Sequence, residues 1–349
     1  MINHRILSRF DEPLKAGTEG SHVWSDACDW DTGRISDALP EIDVYIGSKL
    51  GAEDARRAAR LRLVHVVGAG YDGIPLDALR PGVTVATTHH HGRSIAEHVL
   101  MAALMLSRDV LTADRVLRSG RWRNVAVDPG LPFGSTLRGR RVGIIGFGET
   151  GTEVARLCQA VGLGVRAVRR DPTAPVPADL RPDWVGGSDR LSELLAESDI
   201  VVVTVPLGPA TRGLIGPAEL EAMGPGSLLV NVARGPVVQE EALYEALRSG
   251  AIGGAALDVW WSGPPDPPSR LPFHDLPNVL MTPHNSGHTT DTFAARATEI
   301  AGNIGRLRRG EPLVNVVRAG AGDTRPVPED DATPRDPARS SGGPLSPDH

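Results

Sequence analysis

The 349-residue chain reads as an α/β protein built on parallel sheets. Short β-branched runs alternate with amphipathic stretches of helical period, and one glycine-rich loop sits between such a run and a helix. Composition agrees: 40% of residues are hydrophobic and 23% charged, and the chain is long enough for two domains with their own cores. A formal net charge of −6 argues against nucleic acid or an anionic membrane as the main partner. Cys28 and Cys158 are too few for a disulfide framework and lack metal-ligand spacing. Met1-Ile2-Asn3-His4-Arg5 lacks the charged-then-apolar pattern of a secretory signal, and no apolar run nears the ~20 residues of a membrane span. A cytoplasmic protein is therefore expected.

Along the chain, residues 42–46, 63–67 and 83–87 read as strands and 52–60 as an amphipathic helix. Gly68, Ala69 and Gly70 follow a strand end. These glycines either make a turn or offer backbone N–H groups to a carboxylate. His89, His90 and His91 are adjacent in an extended segment, so their side chains alternate in direction and chelate poorly. We expect a loop bordering a cleft there and no metal site. Residues 94 to about 118 read as one long helix, with Ala96, Val99, Leu100, Ala103, Leu104, Leu106 and Val110 on its apolar face. So much apolar surface suggests a packing or dimer face.

Val142-Gly143-Ile144-Ile145 then runs into Gly146-Phe147-Gly148-Glu149-Thr150-Gly151, with a helical stretch behind it and another strand at 164–168. Strand, Gly-x-Gly-x-x-Gly and helix form the context of a dinucleotide fingerprint. Gly146 would allow the tight turn, Gly148 the approach of a pyrophosphate, and Gly151 close helix–strand packing. Glu149 and Thr150 lie where the free N–H groups of the helix face an anion. At the end of the next strand an acidic residue would accept from an adenosine ribose, but Arg169 and Arg170 stand there. Two guanidinium groups suit a 2′-phosphate and favour NADP, while Asp171 leaves NAD as the alternative. Later strands end in Arg234, Asp258 and His284. Ligands of open parallel sheets sit at the carboxyl ends of strands, so all three fall on the rim that holds the glycine loop.

Those segments, with Val205-Pro206-Leu207-Gly208-Pro209-Ala210-Thr211-Arg212-Gly213, Asn231-Val232-Ala233-Arg234-Gly235 and Thr282-Pro283-His284, resemble the D-specific 2-hydroxyacid dehydrogenase family over roughly residues 43–316. The resemblance implies two Rossmann-like or flavodoxin-like domains, the cofactor domain inserted into the substrate domain, and a homodimer. In those terms residues 1–107 and 290–317 form the substrate domain, 108–289 the NAD(P)-binding domain, and 318–349 a Pro-, Asp-, Ser- and Gly-rich disordered tail. It also implies hydride transfer between NADP, or NAD, and a small 2-hydroxy or 2-oxo acid. Arg234 would grip the substrate carboxylate, helped by backbone donors of Gly68, Ala69 and Gly70, with His284 as acid/base. Asp258 would hold the nicotinamide carboxamide, and Val205, Pro206, Thr211, Val232 and Ala233 would line the cofactor.

One departure stands out. The family carries a glutamate, partner of the catalytic histidine, five residues after the position of Asp258; Gly263 occupies that place here. Without that carboxylate, His284 should hold its proton less firmly. A cofactor-binding regulatory homologue with weak chemistry is therefore an alternative. Formate dehydrogenases also lack the glutamate, and Trp260 and Asn285 fit that branch, but the asparagine used there for formate falls on His91. Phosphite dehydrogenases use a lysine in the loop that reads Gly68-Ala69-Gly70 here.

Overall fold

The computed structural model of the protein describes residues 1–3 and 7–320. The first part of the chain runs through β1 (Ile2–Asn3), α1 (Asp11–Gly17), α2 (Thr32–Ala38), β2 (Val44–Gly47), α3 (Ala52–Arg57), β3 (Leu63–His65) and β4 (Thr84–Ala86). Two helices follow, α4 (Gly92–Ser107) and α5 (Val110–Arg118). Next come β5 (Arg141–Ile145), α6 (Glu149–Ala160), β6 (Gly164–Val168), β7 (Trp184–Gly186), α7 (Leu191–Ala196), β8 (Ile200–Val203), α8 (Pro217–Met223), β9 (Leu228–Asn231), α9 (Glu240–Ser249), β10 (Gly254–Leu257) and β11 (Val279–Met281). The chain then returns through α10 (Thr290–Arg309) and β12 (Val316–Arg318).

Two sheets result. The larger is parallel throughout, in the order β11-β10-β9-β8-β5-β6-β7. Its central strands β8, β9 and β10 are buried on both faces, which is why they read as continuous apolar runs. Ile144, Val165 and Val202 point to one face, under α4 and α6. Ile145, Val201 and Val203 point to the other, toward Leu194 of α7, Leu220 of α8 and Leu243 of α9. The strand order reverses between β5 and β8, which opens a crevice at their carboxyl ends.

The smaller sheet has the order β1-β2-β3-β4-β12, with β12 alone antiparallel. A parallel bridge from Asp26 to Ile2 adds a rudimentary edge outside β1. That gives the doubly wound 2-1-3-4-5 order of flavodoxin-like sheets. Helices α1 and α10 cover one face through Leu14, Phe293, Ala297, Ile300 and Ile304, packed with Ile2, Ile46 and Val67.

Three expectations change. The single helix expected over residues 94–118 is two helices, because the chain turns at Asp109, whose φ is +47°. Asp109 pairs there with Arg123 at 2.7 Å. Helix α4 buries Ile95, Ala96, Val99, Ala102 and Ala103 against the larger sheet and α6. We therefore propose that the boundary between the two units falls near residue 91 rather than 107. Arg318, expected to begin the tail, ends β12 and donates to the carbonyls of Val83, Leu79 and Arg80. The remainder of that tail, 321–349, lies outside the described residues.

Candidate active site

The glycine loop joins β5 to α6 and lies at the crevice where the strand order reverses. Gly146 has φ +100°, and a Cβ on Gly151 would stand 2.1 Å from the Gly146 carbonyl oxygen. Helix and strand can meet this closely only without a side chain. A Cβ on Gly148 would meet nothing within 4 Å, so this backbone faces open space. Thr204, after β8, clamps the turn by donating to Gly146 O at 2.6 Å. No side chain caps α6, leaving its first N–H groups available to an anion. A dinucleotide pyrophosphate fits this arrangement.

Other expected cofactor contacts line the same rim, several of them committed locally. Glu149 Oε2 lies 2.6 Å from His89 Nδ1, a contact between the glycine loop and the segment leading into α4. Burial opposes charge on both groups, but their mutual hydrogen bond outweighs it, raising the pKa of His89 and lowering that of Glu149. Arg169, after β6, donates to the carbonyls of Ala174 and Pro175 and lies over the Phe147 ring. Asp171 accepts from the Thr173 amide at 2.9 Å and hydroxyl at 2.6 Å. Arg170 is exposed beside them. Val205 abuts Gly146, and the Thr211 hydroxyl closes its own loop by donating to Pro206 O at 2.6 Å.

Beyond β9, Val232 and Ala233 are buried, and Asn231 shapes the turn that presents Arg234. Asn231 accepts from the Ala233 amide and donates to Arg234 O. Arg234 Nη1 donates to Ala233 O at 2.8 Å, and Nη2 to Asp72 Oδ1 at 3.2 Å across the cleft. Its guanidinium lies against Gly70, where a Cβ would stand 1.8 Å from Nη2. Strand β3 leads into Gly68, Ala69 and Gly70, so the smaller sheet's rim meets that of the larger here.

Asp258, after β10, is 1% exposed. Its Oδ1 accepts from the Thr282 hydroxyl at 2.6 Å and the Asn285 amide at 2.9 Å; Oδ2 accepts from the Ser286 amide at 3.0 Å. Burial would raise its pKa, but the hydrogen bonds from Ser286 and Thr282 hold it below the usual carboxylate range. Most of its accepting capacity thus goes to the turn carrying His284. Trp260 braces the same turn from outside, its indole donating to Thr282 O at 2.9 Å.

His284 sits at φ +57° after β11, open to the cleft. The surrounding protein and then the Arg234 charge push its pKa below the ordinary value, against the pull of Asp258 and Asp72. Gly263 offers no replacement for the absent acid: it is exposed, and a Cβ there would meet nothing within 4 Å. Among the described residues, no carboxylate is hydrogen-bonded to the His284 ring.

The sequence alone does not mark Asp72, Thr204 or Asn231 as site residues; Trp260, which it does mark beside the pocket, braces the His284 turn. Asn231, three residues before Arg234, carried a local signal as a strand-end turn former. Asp72 carried none, because its partner is 162 residues away. No group of three or more His, Cys, Asp or Glu side chains suited to a metal occurs among the described residues. No helix among them is long and apolar enough to cross a membrane.

Comparison with known proteins agrees with this architecture. Residues 100–286 match the family described as D-isomer specific 2-hydroxyacid dehydrogenase, NAD binding domain. A D-3-phosphoglycerate dehydrogenase of Archaeoglobus fulgidus is 34% identical over 79% of this chain, which spans only 51% of that longer relative. A glyoxylate reductase of Pyrococcus furiosus is 33% identical over 83% of this chain and 86% of its own. Among solved structures, a D-isomer specific 2-hydroxyacid dehydrogenase of Xanthobacter autotrophicus, in complex with NADPH and MES, superposes with TM-score 0.68. It is 33% identical over 89% of this chain and 94% of its own. Matched over more than half its length, and with relatives this similar, the chain belongs to the D-isomer specific 2-hydroxyacid dehydrogenase family.

Proposed function

We propose that this NAD(P)-dependent oxidoreductase interconverts a small 2-hydroxy acid and its 2-oxo acid, with Arg234 holding the carboxylate and His284 carrying the proton. The observation behind this reading is the meeting of Arg234 with the Gly70 backbone on the rim that also presents His284. A planar guanidinium suits two-point contact with a 2-oxo acid, and amides of Gly68, Ala69 and Gly70 add neutral donors. When bound, the cofactor supplies or accepts hydride at the substrate's C2. In the reducing direction, the proton on His284 passes to the carbonyl oxygen as hydride arrives, so the ring must start protonated. Asp258 positions that ring by fixing the 282–286 turn, a role we put before its contact with the carboxamide.

For the cofactor we favour NADP over NAD. Asp171 is engaged with Thr173, which weakens it as a ribose acceptor, while Arg169 and Arg170 bring positive charge to the strand end. Arg170, exposed at the strand end, is a candidate for contact with a 2′-phosphate alongside Arg169. The relative in complex with NADPH supports the same preference. We also propose a homodimer, because Leu117, Trp122 and Phe133 are 54%, 68% and 85% exposed around α5 and the loop after it.

The test follows NADPH and NADH oxidation against glyoxylate, hydroxypyruvate and phenylpyruvate. His284→Ala should lower kcat about 10²–10⁴-fold, the usual share of a general acid, with cofactor affinity nearly unchanged. Equal turnover by that variant would refute the assignment of His284. Arg170→Asp should shift the preference toward NADH, and an unchanged ratio would remove Arg170 from the cofactor site.

A further inference from the structure

Two carboxylates bear on His284, and they are held very differently. Asp258 is buried and takes three hydrogen bonds from the turn that carries the histidine. Asp72 comes from the other sheet, with its side chain 51% exposed. Among the described residues its one side-chain hydrogen bond is that from Arg234 Nη2. The bond engages the guanidinium on the side where Gly70 leaves room for it. Any carboxylate arriving at Arg234 therefore competes with one already there.

We propose that Asp72 is an internal counter-ion that occupies Arg234 in the substrate-free protein and is displaced from it by the substrate carboxylate. This inference rests on the reading of Arg234 as clamp and His284 as proton carrier. The charged groups that act on His284 electrostatically are Arg234 from the turn after β9, Asp258 from the end of β10 and Asp72 from the loop after β3. His288, on the ring's own turn, also feels its charge. Arg234 disfavours protonation of His284 and the two aspartates favour it. Once a substrate carboxylate offsets Arg234, the Asp72 charge is freed to favour the imidazolium that reduction requires. Asp258, already committed to three donors, changes little in this exchange.

Asp72→Asn keeps the shape and removes the charge. With the cofactor-loaded protein, calorimetry would compare binding of oxamate, a carboxylate that cannot accept hydride, to wild type and variant. The variant should bind it about 2- to 5-fold more tightly, the range expected when a partly exposed ion pair no longer competes. Reduction of a 2-oxo acid should also lose activity at lower pH in the variant, because His284 releases its proton sooner. Asp72→Glu should restore the wild-type limb. Equal or weaker oxamate binding by Asp72→Asn, or an unmoved pH limb, overturns the proposal. Failure of the wild type to reduce any 2-oxo acid would count against the reading of the site itself, while the ratio of oxamate affinities still tests Asp72.

Discussion

The two sheets present their carboxyl ends to one cleft but hold their site residues by different means. On the seven-stranded side the glycine loop is clamped by Thr204, and the His284 turn is tied to a buried carboxylate. On the five-stranded side, the loop carrying Gly68, Gly70 and Asp72 reaches the opposite rim through one partly exposed ion pair. Buried, hydrogen-bonded acids are costly to disturb, whereas exposed pairs contribute little to stability. The seven-stranded rim is thus built into the fold, while the five-stranded rim is held to it by a weak contact.

The sharpest way to break this contrast is Asp258→Ala. It would leave the Thr282 hydroxyl and the Asn285 and Ser286 amides without their acceptor, so we expect a loss of about 3 kcal/mol or more. Urea denaturation would measure it, and a loss under 1 kcal/mol would contradict the positioning role.

Acid should distinguish the sheets next. Burial lowers the pKa of His65, in β3, from 6.5 to about 4, and burial and then Arg296 lower that of His91 to a similar value. Below 6.5 the unfolded chain binds protons that the folded chain refuses, so stability falls as pH drops toward 4. For His65 alone the loss is about 3 kcal/mol by pH 4. Amide exchange should show the five-stranded sheet opening first; simultaneous loss of both sheets would argue against this. The His89–Glu149 pair works in the opposite sense. Because the His89 pKa is raised, its contribution is complete below the ordinary histidine value and lost as pH climbs through the raised one.

Gly151→Ala forces a methyl against the Gly146 carbonyl and should cost about 1–3 kcal/mol while weakening cofactor binding. Normal affinity in that variant would show that the loop can relax. Smallest of all, Asp72→Asn should change stability by less than about 1 kcal/mol. A larger loss would make the cross-cleft pair a structural fastening rather than an exchangeable one.

Local chemistry made much of this protein legible from its sequence. The glycine spacing at 146–151, the continuous apolar strands and the residues that close them are short-range patterns, so the α/β class, the glycine loop between strand and helix and the rim of Arg234, Asp258 and His284 could be read directly. The glycine at position 263 was visible there as well, whereas the lowered proton affinity of His284 comes from burial and then from Arg234. Tertiary structure alone decided which groups meet. Helix α4 joined the larger sheet because its apolar face packs there, and the helix expected to continue turned at Asp109. Arg169 folded onto its own loop, and Glu149 acquired a histidine. Asp258 was consumed by the turn it supports, and Asp72 reached Arg234 across the cleft. For Glu149, Asp258 and Asp72 the physical reason is common: a charged side chain takes the partner that folding brings to it, and nothing in local spacing records partners far apart in the chain.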